Sequence, residues 1–123
     1  MDSVAKKGIL FVDDDQDWRG RAQGSLAKAG YEVLVAMDAS EALLHAEDPR
    51  LGLIIVDDNL AGESGLMLAK FLHRNHPEVP TLLYTTKSYD EVMILHMLDQ
   101  GADQCLAKGS MEELVLTVGS YIG

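Results

Sequence analysis

Ile9-Leu10-Phe11-Val12 runs directly into Asp13-Asp14-Asp15, and Leu53-Ile54-Ile55-Val56 runs directly into Asp57-Asp58. A short apolar run rich in branched residues reads as a strand buried on both faces of a parallel sheet. In such a sheet the carboxyl ends of the strands share one edge, where these folds build their sites. The two acidic groups should therefore meet in space. Carboxylates crowded together repel one another unless a proton or a cation intervenes. An all-oxygen ligand set with room for water suits magnesium, with manganese as an alternative.

Outward from these runs, strand and helix patterns alternate five times. The strands are expected at Gly8–Val12, Glu32–Ala36, Leu53–Val56, Thr81–Tyr84 and Gln104–Ala107. The helices are expected at Asp17–Ala29, Ala39–Glu47, Gly65–Asn75, Tyr89–Gln100 and Met111–Tyr121. Gly30 and Gly101 mark helix ends, Asp38 or Ser40 and then Ser88 mark helix starts, and Ser110 with Glu113 resembles a capping box. Such βα alternation predicts an α/β fold with a doubly wound parallel sheet, helices on both faces and right-handed crossovers. For five units the flavodoxin-like strand order 2-1-3-4-5 follows. Gly20 and Gly24 fall on one helix face, which fits either close packing or a weak helix.

The chain has 123 residues, enough for one domain that buries roughly two thirds of its unfolded surface. No apolar stretch is long enough to span a bilayer, and the start carries no secretion signal. The lone Cys105 excludes an internal disulfide and suits a reducing, cytoplasmic compartment. A net charge of -10 leaves no basic face to replace phosphate counterions, which argues against direct nucleic-acid binding. His45, His73, His76 and His96 show no metal-ligand spacing.

Four markers stand in order at four strand ends: Asp13-Asp14; Asp57-Asp58-Asn59-Leu60-Ala61-Gly62-Glu63-Ser64-Gly65; Tyr84-Thr85-Thr86-Lys87; and Gly101-Ala102-Asp103-Gln104-Cys105-Leu106-Ala107-Lys108. Together they resemble the receiver domain of two-component response regulators, of the chemotaxis-regulator kind. The resemblance covers essentially the whole chain. It implies a single receiver domain over residues 1–123, with 1–7 as a loosely ordered lead-in.

The resemblance also implies roles. Asp57 would be the nucleophile, since a carboxylate can attack phosphorus to form an acyl phosphate. Asp14 and Asp57 would bind magnesium directly, Asp13 through a coordinated water or as an alternative ligand, and Asn59 through its backbone carbonyl. Thr85 would donate its hydroxyl to a phosphoryl oxygen, and Lys108 would bring an ammonium to the same group. The Asp13–Asp15 run alone could be an acidic helix start, but that leaves Asp57 unexplained. Asp15 and Asp17 read as first-turn charges, and Asp58 as a solvated neighbour.

Departures from the family pattern are specific. Ala61 and Gly109 stand where proline is usual, which predicts a trans Lys108–Gly109 bond and a less rigidly aimed lysine. Thr86 replaces a smaller residue. Cys105 replaces the aromatic that commonly serves as a rotating switch, and Tyr84 reads as core rather than its substitute. Met93, Met97 and Leu98 fit either a partner surface or core packing.

The function implied is that of a phosphoacceptor in a two-component phosphorelay. The module would take a phosphoryl group from a histidine kinase or histidine phosphotransfer protein and lose it by hydrolysis, with no other enzymatic activity. A downstream protein would read the face formed by the fourth helix and fifth strand, and a homodimer is compatible with the same pattern. No output domain lies within these residues, which fits a stand-alone receiver or part of a longer regulator. Two other readings remain open. One is a phosphorylation-independent pseudo-receiver, favoured by Ala61, Cys105 and Gly109. The other is a phosphatase of the haloacid dehalogenase type, which leaves Asp57 unexplained.

Overall fold

A computed structural model describes residues 7–123. The sheet strands are β1 (Gly8–Val12), β2 (Glu32–Ala36), β3 (Leu51–Asp57), β4 (Thr81–Thr85) and β5 (Gln104–Ala107). All neighbouring pairs are parallel and the order is 2-1-3-4-5, the flavodoxin-like arrangement expected. The helices are α1 (Gln16–Lys28), α2 (Ala39–His45), α3 (Gly65–Asn75), α4 (Glu91–Asp99) and α5 (Met111–Ile122). The expected lead-in over 1–7 lies outside the described residues except for Lys7.

Alternation along the central strands divides the core in two. Ile9, Phe11, Leu53, Ile55, Leu82 and Tyr84 face one layer with Ala22 and Leu26 of α1 and Leu114 and Val118 of α5. Leu10, Val12, Ile54, Val56 and Leu83 face the other, against α2, α3 and α4. Both faces of β1, β3 and β4 are thus covered, so these strands read as unbroken apolar runs.

Local chemistry sets the helix starts. The Asp15, Asp38, Ser64, Asp90 and Ser110 side chains each accept from a backbone amide in the first turn of the helix that follows. Asp15 is therefore a cap rather than a first-turn charge. At α4 the cap is Asp90 and not Ser88, so Tyr89 belongs to the preceding loop. Gly30 and Gly101 follow α1 and α4 at φ 103 and 122, where a side chain would be strained. Gly20 and Gly24 of α1 have open space where a Cβ would lie, so they weaken the helix and serve no close packing.

Beyond β3 the chain makes a feature that the sequence reading lacked. Asn59–Leu60 pairs antiparallel with Glu63–Ser64, and the two residues between them, Ala61 and Gly62, have φ 42 and 91. Positive φ at both central positions is the signature of a tight hairpin turn. Proline, fixed near φ -65°, cannot take the place of Ala61 here. The departure from the family pattern is a requirement of this turn.

Candidate functional site

The carboxyl edge of the sheet collects the acidic residues. Asp13 follows β1 and is fully buried; its amide donates to the Ala36 carbonyl. Asp57 is the last residue of β3, paired with Tyr84, rather than the first residue beyond the sheet. Asp14 is exposed beside them. One carboxylate oxygen from each of Asp13, Asp14 and Asp57 lies within 4.8 Å of the others.

Lys108 enters from the end of β5. Its amide donates to the Thr85 carbonyl at 2.7 Å, tying the ends of β4 and β5 together. Its Nζ donates to Asp13 Oδ2 at 2.7 Å and to Asp57 Oδ2 at 3.2 Å, with the side chain 5% exposed. The lysine is therefore held at both carboxylates, contrary to the expectation of a loosely aimed side chain. No cis peptide occurs among the described residues, as expected for Lys108–Gly109.

Charges in this pocket are unbalanced: three carboxylates face one ammonium. Burial pushes the Asp57 carboxyl up to about 6; the Asn59 amide and the Lys108 charge act downward, and the Asp13 charge upward. Burial alone would lower the Lys108 ammonium, but the hydrogen bond and charge of Asp13, then the charge of Asp57, outweigh it and raise it. Cation binding would relieve the remaining repulsion. The donor set is entirely hard oxygen, the ligand chemistry that magnesium prefers. The residues present thus fit magnesium.

Two expected participants make further contacts here. The Asn59 amide donates to Asp57 Oδ1 at 3.1 Å, so this residue touches the site through its N–H. Thr85 is buried at the end of β4, and its hydroxyl oxygen accepts from the Lys87 amide at 2.9 Å. It stands beside Asp57 by strand adjacency, with no direct bond between the two side chains.

Three contributors escaped the sequence reading. Gly65 opens α3 against the backbone at the end of β3: a Cβ there would collide with the carbonyl of Asp57 and the Cα of Asp58. Tyr89 donates its hydroxyl to Asp58 Oδ2, so Asp58 is a bonded, half-buried residue and not a solvated neighbour. Burial, and then the Asp58 carboxylate, push the Tyr89 hydroxyl up to about 12. Beside this pair, Thr85, Ile94 and Cys105 line a recess of about 180 Å³. Burial, with the Asp58 charge behind it, also raises the Cys105 thiol, which leaves it a small hydrophobe beside Met97. Lastly, Tyr84 is core as expected, yet its ring and that of Trp18 both lie near the Lys108 ammonium.

Residues 9–118 match the response regulator receiver domain. This chain belongs to that family. It is 35% identical over 104 residues to the alkaline phosphatase synthesis transcriptional regulatory protein PhoP of Bacillus subtilis, covering 83% of this chain and 42% of that protein. The chain spans about half the length of the curated relatives it matches. Among solved structures, chemotaxis protein CheY4 of Vibrio cholerae superposes with a TM-score of 0.85 at 30% identity, over 96% of this chain and all of that one. A response regulator from Burkholderia pseudomallei, solved with a phosphorylated aspartic acid, calcium ion and citrate, superposes at 0.81 and 28% identity, over 95% of this chain and 66% of that one. The receiver family carries the Asp57 cluster that the dehalogenase-type reading leaves unexplained.

Proposed function

We propose that this receiver takes a phosphoryl group from a phosphohistidine donor onto Asp57 and uses the modification to switch partner binding. The observation that carries this reading is the Lys108 ammonium seated between two buried carboxylates from different strand ends. In the transfer, an Asp57 carboxylate oxygen forms a bond to phosphorus while the phosphorus–nitrogen bond of the donor breaks, and the departing imidazole retains the electron pair. With its carboxyl at about 6, Asp57 is mostly ionised at neutral pH and able to attack. Asp13, Asp14 and Asp57 would hold the divalent cation, with the Asn59 carbonyl as the further ligand. Magnesium, when bound, supplies charge neutralisation between the carboxylates and the incoming phosphoryl oxygens.

Lys108 leaves its Asp57 contact for a phosphoryl oxygen, and the Thr85 hydroxyl turns to donate to another. The added charge and acceptor oxygens then bias the loops around Thr85 and the α4–β5 face. Val92, Met93 and Leu95 are exposed on α4, which supports a protein partner there. Met97 is buried, so the methionines of this helix divide between surface and core. A histidine kinase or phosphotransfer protein upstream, a cytoplasmic setting and autodephosphorylation belong to the same reading.

The recess beside Cys105 favours a second reading, a pseudo-receiver that binds partners without phosphorylation. Acetyl phosphate separates the two. With magnesium, intact-mass analysis should register one phosphoryl adduct that fails to form in excess chelator. A folded protein that binds magnesium and takes no adduct would favour the pseudo-receiver.

A further inference from the structure

The Lys108 side chain is held from two directions. Asp13 and Asp57 receive its hydrogen bonds, and two aromatic rings stand within cation–π range: the Trp18 centroid at 5.2 Å from Nζ and the Tyr84 centroid at 5.7 Å. Trp18 comes from the first turn of α1 and Tyr84 from β4. Their ring planes meet at 61° with centroids 6.1 Å apart, so they make an angled wall rather than a stack. We propose that Trp18 and Tyr84 are positioning residues whose ring faces aim the Lys108 ammonium for phosphoryl transfer at Asp57.

Three features carry this, beyond the distances. Gly109 follows Lys108 where a rigid proline is usual in the family, so the backbone constrains the side chain little. The side chain is placed instead by its contacts, two carboxylates and two rings, which keep the ammonium withdrawn from water. The indole N–H of Trp18 and the hydroxyl of Tyr84 are both buried, close to one another and bonded to no other residue. Neither polar tip is bonded to the Lys108 ammonium, which meets these two residues at their rings. Arg21 places a second cation 4.9 Å from the Trp18 centroid, so this indole faces positive charge from more than one residue.

The physical advantage lies in what the ammonium must do. Its hydrogen bonds are directional and fail when it shifts from a carboxylate to a phosphoryl oxygen. A ring face is a broader target than a lone pair, so a short movement of the cation across it retains much of the attraction. The wall therefore holds the charge near Asp57 before and during transfer. This inference rests on the phosphoacceptor reading above.

Trp18 is the single tryptophan of the chain, so biosynthetic incorporation of fluorinated tryptophans alters this ring alone. Each added fluorine withdraws charge from the ring face with little change in shape. Single-turnover phosphorylation by saturating acetyl phosphate should slow stepwise with fluorine number, by about three- to tenfold across the series, while magnesium affinity holds constant. Tyr84→Phe keeps a ring face and removes a hydroxyl that does not bond Lys108, so its rate should stay within about twofold of wild type, whereas Tyr84→Leu slows transfer. A second readout needs neither metal nor phosphate. The ¹⁹F resonance of 5-fluorotryptophan at position 18 should shift on Lys108→Met in metal-free protein that remains folded. A flat fluorotryptophan series and an unmoved resonance, in protein that phosphorylates normally, would overturn the aromatic wall. Failure of unsubstituted protein to phosphorylate, with the resonance still shifting, would instead overturn the phosphoacceptor reading and leave the ring contact standing.

Discussion

Lys108 Nζ lies 2.7 Å from Asp13 Oδ2 and 3.2 Å from Asp57 Oδ2, so one ammonium from the end of β5 bridges carboxylates at the ends of β1 and β3. Sequence separations of 95 and 51 residues are closed at a single atom. All three side chains are largely withdrawn from water, where an unpaired charge is most costly.

Removal of that ammonium should destabilise the metal-free protein. For Lys108→Met at neutral pH the expected loss is about 3 kcal/mol, the usual effect of stripping one partner from a buried ion pair. Urea unfolding in excess chelator measures it. Magnesium should recover much of the loss, because it neutralises the same carboxylates. A loss below about 0.5 kcal/mol would place the pair in the weak, solvent-screened class.

Asp57 should give the metal-free protein a distinct pH dependence. Burial raises its folded-state value from 3.8 to about 6, so the folded state binds the proton more tightly than the unfolded chain. The associated stability is fully present below about 3.8, is lost as pH rises through about 6, and is absent above that. Stability measured in chelator, taken relative to Asp57→Asn, should therefore fall between pH 4 and 7 and level off above. A flat difference across that range would mean that Asp57 titrates normally.

The hairpin after β3 yields a stability test at Ala61, which pays a left-handed backbone penalty at φ 42. Ala61→Gly relieves a strain of about 1–2 kcal/mol and adds unfolded-state entropy of about 0.4–1 kcal/mol, for a net gain near 0.5–1 kcal/mol. Ala61→Pro should destabilise, since its ring forbids this conformation. Thermal unfolding distinguishes the two. Equal stability of the glycine and proline variants would contradict the turn.

Tyr89 ties the loop between β4 and α4 to Asp58 through its hydroxyl. Tyr89→Phe should cost about 1–2 kcal/mol, the typical worth of a hydrogen bond to a charged group at a half-buried position. It should also hasten hydrogen exchange at the Lys87 and Ser88 amides, since the loop loses its tether. Unchanged exchange at those amides would show that the loop is held by something else.

Much of this architecture is legible in the chain because the strands are buried on both faces. Ile9–Val12 and Leu53–Val56 are unbroken apolar runs, and the acids that end them mark the edge of the sheet. Asp13, Asp14 and Asp57 are legible in the same way, whereas Thr85 and Lys108 draw their weight from the family resemblance, since either alone reads as an ordinary residue. What escaped depends on tertiary contact. The start of α4 fell between Ser88 and Asp90, two residues of equal capping ability, and that choice decides whether Tyr89 is helical or free to reach Asp58. Gly65 looks like any helix-opening glycine until the backbone of Asp57 is set against it. The hairpin of Asn59–Leu60 with Glu63–Ser64 is too short to carry a period-two pattern. Lys108 and the two rings beside it come from three separate elements, which no local pattern can join.

The central claim is that Asp57 accepts the phosphoryl group, and the most direct test locates the adduct. Protein treated with acetyl phosphate and magnesium is reduced with borohydride, which converts an aspartyl phosphate to homoserine, and is then digested and mapped by mass spectrometry beside an Asp57→Asn control. The account expects homoserine at position 57 alone, and none in the control. Homoserine at Asp13, Asp14 or Asp58, or a modification that survives in Asp57→Asn, would contradict it.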